Sequence, residues 1–75
     1  MKTAEERKQS FANLVEKKLA KIDEMMQDAV DTGCREVYLS FDEFGAVWRD
    51  VEQLEVQYGY KVIRNGACLW WEVSW

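Results

Sequence analysis

The stretch YKVIRNGACLWWEVSW, residues 60–75, decides the fold, because two apolar runs flank the dipeptide Asn65-Gly66. Asn-Gly tolerates positive φ at both centres of a tight turn, which makes it the strongest two-residue hairpin signal. The reading is a hairpin over 60–74 in which Val62 faces Leu69 and Tyr60 faces Trp71. Alternation then sends Val62, Leu69, Trp71 and Val73 to one side of the sheet and Ile63, Cys68 and Trp70 to the other.

Upstream, Phe44, Val47, Trp48, Val51, Leu54, Glu55 and Tyr58 recur at helical spacing, with the polar Glu55 at the margin, and Gly59 follows as a C-terminal stop. Ser40-Phe41-Asp42-Glu43 has the form of a capping box, with Leu39 and Phe44 placed as its hydrophobic staple. The spacing predicts one helix over 41–58. Before it, Val37, Leu39 and Phe41 alternate with Glu36, Tyr38 and Ser40, the period of a half-buried strand over 35–40. Further back, Phe11, Val15, Leu19, Ile22, Met26 and Ala29 form a helical stripe between a Thr3–Glu6 box and Gly33, predicting a helix over about 4–31.

The expected fold is a single α+β domain over residues 1–75, ordered α-β-α-β-β. Each helix has one apolar face, so both should cover one side of a three-stranded sheet. A right-handed crossover makes the first two strands parallel, with the third, the longest and most apolar, between them and antiparallel to both; the alternative puts the second strand at the centre. The covered side would present Val37, Leu39, Val62, Leu69, Trp71 and Val73, and Trp75 would also turn inward. Tyr38, Ile63, Cys68 and Trp70 would lie on the reverse side, with Glu36, Lys61, Glu72 and Ser74 around them.

Composition narrows the function. The chain has 75 residues, 48% hydrophobic content and ten aromatics, enough for a packed core with a thin stability margin. No run approaches the length of a membrane span. Met1 to Ser10 is charged and lacks the apolar run of a signal peptide, so a cytoplasmic setting is expected. Cys34 and Cys68 lie far apart and outside any CxxC spacing, and they read as reduced, buried small hydrophobes. The net charge of −4 is unevenly spread. Residues 1–21 carry +3, residues 22–55 carry −8 and the remainder +1. Such an acidic body repels phosphate backbones and argues against direct nucleic-acid binding.

Three features could carry function. The group Tyr38, Ile63 and Trp70 would be apolar on a sheet side that usually faces water, which suggests a partner surface. A helix of 28 residues spans about 42 Å, against about 23 Å for a seven-residue strand, so its first two turns should overhang the domain. A homodimer would cover both that overhang and part of the sheet. Glu24, Asp28 and Asp31 fall on one stripe of the first helix, a ridge able to meet a basic partner. The chain has no histidine, no nucleotide-binding glycine loop, no calcium loop and no zinc spacing. The reading is therefore non-enzymatic, without cofactor or metal.

Ala29 to Gly33 (A-x-x-x-G), Tyr58 to Val62 (YGYKV) and the terminal Val73-Ser74-Trp75 (V-S-W), within this layout, resemble small uncharacterised bacteriophage-encoded α+β proteins. The doubled Trp70-Trp71 departs from that pattern. The resemblance implies a phage accessory protein that binds and inhibits or adapts a host factor, such as a defence or nucleic-acid-processing protein. Two other readings stand beside it. One is a dimeric module sequestering a small nucleotide-type ligand, with Arg35, Lys61 and Arg64 as its candidate cations. The other is a structural protein acting by self-association.

Overall fold

A computed structural model describes residues 1–75. The first helix, α1 (Ala4–Asp31), has the expected bounds. At its start the Thr3 hydroxyl accepts from the Glu6 amide at 3.2 Å. Its end is a Schellman closure: Gly33 N–H donates to Val30 O and Cys34 N–H to Ala29 O, with Gly33 at φ +83.

Strand β1 (Glu36–Ser40) buries Val37 and Leu39. The predicted continuous second helix is instead three pieces: α2 (Phe41–Phe44), a 3-10 turn (Gly45–Val47) and α3 (Trp48–Tyr58). A 3-10 turn stacks residues i and i+3, so Phe44 and Val47 both point into the core, which a continuous α-helix would share with Trp48. Trp48 turns outward instead, its ring covered by the Arg49 guanidinium at 5.2 Å. Tyr58, also expected on the buried stripe, is exposed at the last turn of α3. The staple pair Leu39 and Phe44 is fully buried, as its spacing required.

Strands β2 (Lys61–Asn65) and β3 (Trp70–Ser74) complete a sheet of order β1-β3-β2, with β3 central and antiparallel to both neighbours. β3 is no longer than the other two. The turn differs from the Asn-Gly expectation. Val62 lies opposite Val73, not Leu69, and Gly66–Leu69 form a four-residue loop. Gly59 explains the shift. At φ +78 it ends α3, so β2 starts only at Lys61 and can match all five residues of β3 only across a wider loop. Asn65 serves that loop by accepting from Cys68 N–H through Oδ1 at 3.0 Å. The register moves by an even number of residues, so every strand residue keeps its predicted face. Leu69 does not. It sits in the loop at φ +58, exposed, and its carbonyl accepts from Phe41 N–H.

The core is a single cluster on one side of the sheet: Val37, Leu39, Trp71 and Val73 against Ile22 and Met26 of α1 and Phe44, Val47 and Val51 of the second helical segment. Both helical segments therefore cover the same side, as predicted. Phe41 stacks on Trp71 at 4.5 Å, and Val62 packs half-buried at the edge. Both cysteines are exposed, against expectation. Cys34 falls just beyond the Gly33 closure and Cys68 in the widened loop, so neither reaches the core. Trp75 follows the end of β3 and lies edge-on to Tyr60 at 6.2 Å, partly exposed rather than inward.

The overhang of α1 is longer than predicted. Every residue up to Leu14 is exposed, about three turns. The molecule measures 46 × 28 × 21 Å.

Candidate functional site

The uncovered side of the sheet is built in three rows across β1, β3 and β2. They are Glu36–Ser74–Lys61, Tyr38–Glu72–Ile63 and Ser40–Trp70–Asn65. Each residue is there because strand parity puts it opposite a core residue: Tyr38 between Val37 and Leu39, Trp70 and Glu72 either side of Trp71. Tyr38 and Trp70 sit in adjacent rows and meet edge to face, centroids 5.6 Å apart and planes inclined at 61°. They remain 50% and 38% exposed, and Ile63 42%, so an aromatic and aliphatic patch faces water.

Glu72 stands at the centre of that patch. Hydrogen bonding to Glu36 raises its pKa above the usual carboxylate value, burial adds to the rise, and Lys61 opposes it. The Glu36 charge, partial burial and the Glu72 charge likewise lift the Tyr38 phenol. Two carboxylates beside two rings leave the face apolar in outline and electronegative at its middle. Such a surface suits a partner that brings a Lys or Arg side chain with apolar neighbours. The expected register set Glu72 opposite Gly59, so its central place between Tyr38 and Ile63 was hidden. Its position two residues from Trp70 on one strand was the available signal.

The structure brings Tyr38, Ile63 and Trp70 together, while Cys68 leaves the face for the loop. Glu24, Asp28 and Asp31 are exposed on the side of α1 turned away from Ile22 and Met26, at the opposite surface of the molecule. Asp31 accepts from Gln27 there at 3.0 Å. Ridge and aromatic patch are two surfaces, not one.

A second concave feature runs between α1 and α3. Two adjoining hollows, of about 330 and 360 Å3, share Asp23, Met26, Tyr58 and Tyr60. The first is lined mainly by Leu19, Ile22, Val51 and Leu54, with Asp23 and Asp50 its charged residues. Arg35, Lys61 and Arg64 line neither. Lys21 of α1 pairs with Glu43, holding that carboxyl below its ordinary value. Arg64 reaches Glu52 at 3.9 Å and lies over the Phe41 ring.

No group of three or more Cys, Asp or Glu side chains converges as a metal site, and no helix is long and apolar enough to cross a membrane. No family model, curated protein or solved structure matches the chain.

Proposed function

We propose that this chain is a non-enzymatic, acidic protein-binding domain, an accessory protein of a bacteriophage that docks on a host protein in the host cytoplasm and inhibits or adapts it. The observation that carries the binding reading is the bare patch of Tyr38, Ile63 and Trp70 around Glu72. A small domain with few core residues keeps two aromatic rings and an isoleucine in water where threonine or lysine would serve the sheet as well. That arrangement is typical of a surface awaiting a partner. The negative body favours a basic partner and speeds encounter with it. The phage origin and the host target, a defence or nucleic-acid-processing protein, rest on the sequence resemblance alone.

The test is affinity capture from bacterial lysates with the wild-type chain and with Trp70→Ala and Glu72→Lys. A stoichiometric host protein retained by wild type and lost with both variants supports the reading. A confirmed complex indifferent to both sinks the placement of the surface. Asp28→Lys with Asp31→Lys asks the same of the ridge.

The nucleotide-sequestering reading gains little from the groove, because its charged lining is Asp23 and Asp50, which repel phosphate. Self-association has a specific observation in its favour, the exposure of Phe11 and Leu14 on the α1 overhang.

A further inference from the structure

We infer that a second copy of the chain lays its α1 overhang, residues 4–14, into the groove between α1 and α3, and receives the first copy's overhang in return. The surface area points this way first. The chain exposes 5698 Å2. A monomer of its 8.9 kDa mass is expected to expose about 4800 Å2. The excess, about 900 Å2, is close to the roughly 800 Å2 that each partner contributes to a standard interface. The radius of gyration, 13.9 Å, likewise exceeds the about 11 Å of a compact chain of this length.

The overhang has the chemistry to fill the groove. Phe11 lies on the same helical side as Val15, Ile22, Met26 and Ala29, so the stripe that packs the core runs off the end of the domain with Phe11 55% exposed. Leu14 beside it is exposed as well. The groove offers exposed Leu19 and half-buried Leu54 above a floor of buried Ile22 and Val51, and sets Asp23 and Asp50 at its rim. Arg7 and Lys8 lie one turn before Phe11 and enter no ion pair within the chain. They travel with the ring and meet that rim.

Charge also selects a second copy, and its direction. Residues 1–21 carry +3, while residues 22–31 carry four acids and no base. Two α1 helices side by side in the same direction oppose like halves; run antiparallel, they match basic to acidic twice. The exchange is twofold and self-complementary, so it closes at two chains. It leaves both Tyr38–Trp70 faces free and stands independently of the function proposed for them.

Sedimentation equilibrium from micromolar to millimolar concentration tests it. Wild type should shift from 8.9 kDa to twice that mass. Phe11→Asp should weaken association roughly thirtyfold or more, as for a buried aromatic anchor. Phe11 lies outside the core, so circular dichroism should report an unchanged fold. Arg7→Glu with Lys8→Glu, and separately Asp23→Lys with Asp50→Lys, should each be monomeric. Mixed one to one, the two should recover a dimer, because both exchanged contacts are then complementary. A wild-type monomer at every concentration overturns the inference and hands the groove to a helix of another protein. So does a dimer that Phe11→Asp leaves as tight as wild type, a mixture that fails to recover, or a dimer lost with Trp70→Ala, which would put the interface on the sheet.

Discussion

Tyr38 and Trp70 meet edge to face at 5.6 Å on adjacent strands, one residue in sequence from core residues that are almost wholly buried. The contrast between Trp70 and its neighbour Trp71 is the sharpest in the chain. Trp70→Ala should cost about 1 kcal/mol, the aromatic pair and little else. Trp71→Ala should cost about 3–5 kcal/mol by opening a cavity beneath Phe41. A 75-residue domain has only about 4–11 kcal/mol in all, so that variant should be largely unfolded when warmed. Trp71 Nε1 is buried without a hydrogen-bond partner in the chain. Trp71→Phe removes that stranded donor along with part of the ring, and should cost far less than alanine. Urea unfolding of the three variants checks the order.

Glu72 and Glu43 should respond oppositely to acid. Glu72 is raised in the folded protein, chiefly through hydrogen bonding to Glu36, so its protonated form is favoured by folding. Its contribution is fully present below the unfolded value near 4.5 and is lost as pH rises through the folded value. Glu43 is lowered, chiefly by hydrogen bonding to Lys21. Its contribution is present above 4.5 and is lost as pH falls through the folded value. Glu72→Gln should therefore raise the melting temperature at pH 7 and change it little at pH 3. Glu43→Gln should lower it at pH 7 by a small amount, as suits an exposed pair. The same Glu72→Gln change should bring the Tyr38 phenol down toward 10.0, read by ultraviolet absorbance.

Leu69 is the chain's one non-glycine residue at positive φ, in a loop where its side chain gains no burial. Leu69→Asn, a residue at ease in that conformation, should stabilise the domain by up to about 1 kcal/mol. Gly59→Ala should do the reverse, by about 1–2 kcal/mol, since open space surrounds the new methyl and only the backbone is strained. Thermal unfolding separates the two signs.

These positions also show what was legible in the sequence. Gly59 and Gly33 announced helix ends because glycine takes the left-handed conformation without a Cβ clash, and alternation fixed which side of the sheet every strand residue faces. The Asn65-Gly66 signal misled because it is local. The start of β2 is set by Gly59, and the pairing of Val62 with Val73 by the need to match all of β3. The 3-10 turn escaped for a similar reason: Phe44, Val47, Trp48 and Val51 fit an unbroken helix, and only competition for core space turns Trp48 outward. The aromatic patch survived the wrong register because the shift was even, but that register hid the central place of Glu72.

The two N-caps should behave differently, although each bonds its partner amide at 3.2 Å. Ser40 caps the segment that carries Phe44 and Val47 into the core, so Ser40→Ala should cost about 1 kcal/mol of global stability. Thr3 caps an overhang whose first eleven helical residues bury nothing. A helix of that length without packing is marginal, so the overhang should open with little free energy while Ile22 to Ala29 open only with the whole domain. Thr3→Ala should then leave the global unfolding midpoint unchanged and speed amide exchange only near the start of α1. Hydrogen exchange followed by mass spectrometry reads both effects. In dilute wild-type samples, exchange should be fast over residues 5–14 and slow over residues 22–29. Raising the concentration should slow the first segment together with α3, because the overhang is then seated in the groove of a second chain. Protection that stays uniform along α1 at every dilution would mean the overhang is held by something other than a partner copy.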